Sequence, residues 1–136
     1  MYSITKTFLV EVYSTVHRLD LANWIIGDLT PVAAMGTIYQ KTRHMKNPLI
    51  SWRGALEDFE TERDGLRALL VDTLTYFDVY QRLELKKTQT GDLTKEEGEM
   101  FEEAQLWTRK RTPLVKYYGC ELASILTIKG IQILGG

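Results

Sequence analysis

Apolar residues recur at three- and four-residue steps over most of the chain, and few stretches alternate as a strand would. The clearest run is Leu49, Trp52, Leu56, Phe59, Leu66, Leu70, Thr73, Phe77 and Tyr80. That spacing places one apolar face along a helix from about Pro48 to Leu85. The polar stretch from Lys86 to Asp92 holds Gly91 and predicts a loop. Thr94 and Glu97 then form the pattern of a capping box, in which each side chain takes the other residue's backbone N–H. A charged helix follows to about Arg109, and a further helix begins at Pro113 with Val115, Tyr118, Leu122, Ile125 and Leu126 facing inward. Ahead of all these, Leu19, Ala22, Trp24, Ile25, Ile26, Val32, Met35 and Ile38 give a broader apolar surface, interrupted by Gly27 and Pro31. Residues Met1 to Ser14 are rich in Thr and Val and are compatible with a helical extension, a frayed end or a strand-like arm.

The prolines serve as punctuation. Asn47-Pro48 and Thr112-Pro113 each place a capping residue before a proline at the first helical position. Thr30-Pro31 either repeats that arrangement or kinks a longer helix, because proline lacks the backbone N–H. The pattern predicts an all-α fold: one domain over residues 1–136, an antiparallel up-down four-helix bundle with short connections. Residues 86–112 form a charged elaboration of it. Gly119, Ala123 and Gly130 on the last helix are small enough to admit a neighbouring helix closely.

Composition narrows the class. A length of 136 residues suffices for one buried core. Seventeen basic and eighteen acidic residues leave a net charge of −1, which gives no nucleic-acid surface. The single Cys120 excludes an internal disulfide and a cysteine metal site, so a reducing compartment is expected, cytoplasmic or the mitochondrial matrix. No apolar run reaches the ~18 residues of a membrane span.

Self-contained chemistry is sparse. His17 and His44 are the only histidines, and neither has metal-ligand spacing. There is no phosphate-binding Gly-x-x-x-x-Gly-Lys loop and no Gly-x-Ser-x-Gly elbow. Cys120, at helical spacing among Tyr117, Gly119 and Leu122, reads as a buried inert thiol. Glu96, Glu97, Glu99, Glu102 and Glu103 read as a solvated helix start, and Arg109-Lys110-Arg111 as a basic helix end, both matched to the helix dipole.

Three segments, in order, carry a resemblance to a known family. The first is His17-Arg-Leu-Asp-Leu-Ala-Asn-Trp-Ile-Ile-Gly27, and the second Thr42-Arg43-His-Met-Lys-Asn47-Pro-Leu-Ile50. The third and most specific runs from Tyr117 to Gly136 and closes with Gln132-Ile-Leu-Gly135-Gly136. Together they resemble the C-terminal helical domain of the acyl-CoA dehydrogenases. In that family the first segment opens the domain, the second turns between its first two helices, and the third closes its last helix. Lys46-Asn47 stand where the family has Phe-Gly, and Gly54 or a neighbour where a Gln is frequent.

The resemblance implies a bundle that joins subunits, as a dimer or tetramer, and helps hold FAD across an interface. It implies that Arg43 reaches the FAD pyrophosphate, where a planar guanidinium suits phosphate oxygens. Gln132, Gly135 and Gly136 would meet the adenosine diphosphate part of a neighbour's FAD. The implied parent reaction is α,β-dehydrogenation of an acyl-CoA thioester, with electrons leaving through FAD. The family's usual glutamate base lies beyond the Gly-Gly pair, so no catalytic residue is expected in this chain. A minority of members take the base from the position of His17. The remaining domains, which shape the acyl-CoA pocket, are expected to be absent, and the chain alone to lack turnover. The alternative is a non-catalytic assembly or binding module derived from that fold.

Overall fold

The computed structural model describes residues 6–42 and 50–134, which form three helices and no strand. They are α1 (Lys6–Thr42), α2 (Ile50–Thr90) and α3 (Lys95–Ile133). All-helical character agrees with the apolar spacing, but the described residues hold three helices where the pattern predicted four. The difference lies at Thr112-Pro113, which does not start a new helix: Pro113 sits inside α3. Pro31 likewise sits inside α1, so the reading as a proline within a longer helix is the correct one. The ambiguous arm is helical from Lys6 onward. Asn47-Pro48, by contrast, lies outside the described residues.

The break between α2 and α3 is local chemistry. α2 runs to Thr90, further than the expected end at Leu85. It stops at Gly91, whose φ of 82° favours glycine, with its N–H donating to the Lys87 carbonyl at 3.0 Å. Thr94 then starts α3 through the expected capping box: its hydroxyl accepts from the Glu97 N–H, and the Glu97 carboxylate accepts from the Thr94 N–H. Lys86, on the last turns of α2, pairs with the same Glu97 and ties the two helices at the turn.

Every pair of helices is in contact. Tyr80 packs on Phe101, Tyr76 on Trp107, and Glu62 bonds to Lys129, so residue numbers fall along α2 as they rise along α3. Along α1 and α3 they rise together: Glu11 pairs with Arg109, Ile25 lies on Gly119, and Gly36 lies on Ile133. The core draws on all three helices: α2 buries Leu56, Phe59, Leu66, Leu70, Phe77 and Tyr80, as the spacing predicted, α1 buries Leu19, Ile26 and Leu29, and α3 buries Val115, Leu122, Leu126 and Ile133. Small residues lie among them on α1 and α3. Ala22, Ala33 and Gly36 are buried on α1, and Ala104, Gly119 and Gly130 on α3. The large side chains of α2 thus fill the space that the small ones leave.

Two of the buried threonines cost little. Thr73 and Thr112 donate their hydroxyls to the carbonyls of Leu69 and Thr108, each at 2.7 Å, which satisfies the hydroxyl within the helix.

Several inward expectations are corrected. Tyr118 and Ile125 are exposed, whereas Val115, Leu122 and Leu126 are buried as expected. On α1, Trp24, Met35 and Ile38 face outward while Leu19, Ala22 and Ile26 fill the core. The apolar stretch of α1 is therefore wider than the face it buries.

Candidate functional site

The expected site residues do not form one constellation among the described residues. Arg43 belongs to the link between α1 and α2, and Gly135 and Gly136 follow α3; all three lie outside the described residues. Gln132 is exposed on the last turn of α3. His17 is exposed on α1, its ring parallel to that of Tyr13 at 6.5 Å. Gln132 precedes Ile133, which packs on Gly36. His17 and Gly36 are nineteen residues apart on one helix, or ~28 Å at ~1.5 Å per residue. His17 and Gln132 therefore sit at different levels of the bundle.

The basic run 109–111 changes its meaning. It lies in the middle of α3, not at a helix end, so the dipole explanation fails. Arg109 instead grips Glu11 of α1 through two hydrogen bonds, of 2.7 and 3.2 Å. The Glu11 carboxylate raises the Arg109 pKa further. Arg111 pairs with Asp72 and lies over two rings, 4.6 Å from the Trp107 centroid and 5.0 Å from that of Tyr76. Lys110 stands over the other reach of Trp107 at 5.8 Å. Arg109 thus fastens α3 to α1, and Arg111 fastens it to α2. The acidic cluster behaves as expected, with Glu96, Glu99, Glu102 and Glu103 exposed.

Two grooves remain. Between α2 and α3, a groove of about 260 Å³ is lined by Asp72, Tyr76, Met100 and Glu103 among others. Its Asp72 carboxylate is already engaged by Arg111. Between α1 and α3, a groove of about 400 Å³ is lined by Arg18, Pro113, Lys116, Tyr117 and Cys120. Cys120 is exposed there, which corrects the expectation of a buried thiol. The signal missed in the sequence was its register: Gly119, its neighbour, takes the buried position against Ile25 and Leu66, and so turns Cys120 outward. No group of three or more His, Cys, Asp or Glu capable of holding a metal occurs among the described residues. None of their helices is long and apolar enough to cross a membrane.

Several large apolar side chains are exposed. Val10, Tyr13, Trp24 and Ile38 on α1, and Tyr117, Ile128 and Ile131 on α3, are each more than half exposed. The outward side of α2 is instead rich in charge, with Glu57, Asp58, Asp64, Arg67, Asp78 and Arg82 exposed.

Comparison with known proteins identifies no relative: no family model, curated protein or solved structure matches the chain.

Proposed function

We propose that this chain is the subunit-assembly domain of an acyl-CoA dehydrogenase-like flavoprotein, contributing part of an FAD site and inactive alone. The observation that carries the assembly half is the asymmetry of the surface. α2 presents mainly charges to solvent, with Val71, Leu74 and Leu85 among them, whereas α1 and the second half of α3 present more large apolar side chains, Trp24, Ile38, Tyr117, Ile128 and Ile131 among them. Large apolar side chains left exposed along a helix face mark an interaction surface more often than scattered single ones do. A helix of a second copy laid on this surface would supply the four-helix packing that three helices leave incomplete.

The FAD half rests on the resemblance of Gln132-Ile-Leu-Gly135-Gly136 and of Arg43. Glycines permit close backbone approach to a phosphate, and Arg43 offers a fork of donors. The parent reaction is the α,β-dehydrogenation of an acyl-CoA thioester, with substrate bound only when the remaining domains are present. The second reading is an assembly module without flavin chemistry. It is favoured by Lys46-Asn47, which replace the family's Phe-Gly beside Arg43.

FAD titration of the purified chain, followed by flavin fluorescence and sedimentation together, separates the two. Saturable binding to an oligomer, lost in Arg43→Ala, supports the flavoprotein reading. A stable oligomer that ignores FAD leaves the assembly module. A monomer that ignores FAD refutes both.

A further inference from the structure

We propose that the groove between α1 and α3 is a binding site for a small organic anion, one with a phosphate-like group beside a flat apolar portion. Arg18 and Lys116 would take the charge, and Tyr117 with Pro113 the flat portion. The inference does not rest on the FAD reading, whose residues are Arg43 and those from Gln132 onward.

The argument begins with charge accounting. All eighteen Asp and Glu of the chain lie within the described residues. Arg63, Arg67, Arg82, Lys86, Arg109, Arg111 and Lys129 each hold a carboxylate. Lys87 and Lys110 lie over the rings of Phe101 and Trp107. Among the described side chains, Arg18, Lys41, Lys95 and Lys116 have neither kind of partner, and two of these four, Arg18 and Lys116, line one groove. Arg18 is also half-buried, so water screens it incompletely. Two like charges facing one concavity repel each other, and a bound anion reverses the sign of that interaction.

The shape fits the same ligand. The groove, about 400 Å³, falls within the range of small-molecule sites. Its walls offer the ring of Tyr117 and the exposed ring of Pro113. An aromatic face beside a cation pair selects a ligand with both a planar and an anionic part. A free inorganic ion would use only half of these features.

Cys120, the only cysteine, lines the groove and is exposed, so it reports on this site alone. The test compares two aryl disulfides on the whole chain in mildly alkaline buffer. One is the dianionic 5,5′-dithiobis(2-nitrobenzoate), the other the neutral 2,2′-dipyridyl disulfide. In both, the Cys120 thiolate attacks one sulfur, the probe S–S bond breaks, and an aryl thiolate leaves with the electron pair. The expected result is that the anionic probe reacts faster, relative to the neutral one, on the folded chain than on the urea-unfolded chain. Arg18→Gln with Lys116→Gln should erase about tenfold of that ratio or more, the scale of lost charge-assisted contacts. Arg18→Lys should retain most of it, which separates charge from misfolding. Phenyl phosphate should protect Cys120 saturably, inorganic phosphate more weakly and phenol not at all. Tyr117→Ala should remove the advantage of phenyl phosphate over inorganic phosphate.

An equal ratio on folded and unfolded chain overturns the proposal, as does a ratio that survives loss of both cations. Equal protection by the two phosphates overturns the two-part ligand. Protection by phenol overturns the role given to the charges.

Discussion

At the scale of single residues, the glycines show how the same residue type serves opposite ends. A Cβ built on Gly130 would stand 2.6 Å from Val32 Cγ1 and 3.8 Å from Phe59. Val32 is a β-branched side chain on the facing helix, stiff at χ1 and unable to swing clear. Gly130→Ala should therefore destabilise the chain by about 1–3 kcal/mol in urea unfolding, the usual cost of overpacking. Val32→Ala should recover part of that loss in the double variant, as coupled neighbours do; simple additivity would refute the contact. Gly65 differs in that a Cβ there meets nothing within 4 Å, in the interior of α2. Gly65→Ala should stabilise by up to about 1 kcal/mol through helix propensity alone. Thr108 offers a third case. It is 3% exposed and its hydroxyl has no hydrogen-bond partner. Thr108→Val keeps the shape and removes the unsatisfied group, so stability should rise by about 1 kcal/mol, read as a higher urea midpoint with unchanged slope.

At the scale of elements, apolar spacing revealed the faces of the helices, and punctuation misled about their ends. All seven described positions assigned to the inner face of α2, from Leu56 to Tyr80, are buried. That reading worked because the outer side of α2 is mostly charged, and its exposed apolar residues Val71, Leu74 and Leu85 fall outside the series of three- and four-residue steps that marks the inner face. α1 lacks that contrast, and Trp24, Met35 and Ile38 were indistinguishable in sequence from core residues. Thr112-Pro113 has the form of a helix start, yet α3 continues because packing on both neighbours outweighs one missing backbone bond. Arg109 and Arg111 are fastened across the bundle on the turn before the proline, and Thr112 donates to the Thr108 carbonyl. Pro113→Ala supplies the absent N–H to α3 and should stabilise the chain by about 1–3 kcal/mol, since proline costs roughly 3 in a helix interior. A loss of stability would mean that α3 needs a bend there. The capping box was legible in full, because its four residues carry all of its chemistry. Lys86, followed by the Thr94 N–H, lowers the Glu97 carboxyl below the ordinary glutamate range. A depressed carboxyl adds stability that is present above the ordinary glutamate value of ~4.3 and lost as pH falls through its folded value. Thr94→Ala should cost about 1 kcal/mol at neutral pH. Lys86→Met should flatten the acid side of the stability profile, and an unchanged slope there would show that the pair contributes nothing.

At the scale of the whole molecule, the chain divides into a solvated side and an apolar side, and the division governs what it can do. The charged cross-links all serve the inside of the bundle: Arg109 with Glu11 joins α3 to α1, while Arg111 with Asp72 and Lys129 with Glu62 join it to α2. None of them involves Trp24, Ile38, Ile128 or Ile131, which stay exposed beside the exposed carboxylates Asp20, Asp28 and Glu121. The site residues taken from the resemblance were not testable by spacing, because Arg43, Gly135 and Gly136 fall outside the described residues and Gln132 alone makes no pocket. The proposed assembly can be tested on exposed residues of α1 and α3. Trp24 is 67% exposed and Ile128 59%, and removing either from water at an interface is worth roughly 1.5–3 kcal/mol. Trp24→Glu with Ile128→Glu, both on outward positions, should leave the unfolding midpoint of the separated chain within ~0.5 kcal/mol of the parent, as surface changes do. The same variant should sediment as a monomer at concentrations where the parent is an oligomer. Were the double variant to remain oligomeric with its fold intact, the interface would lie elsewhere, and the apolar side of α1 and α3 would need a different partner.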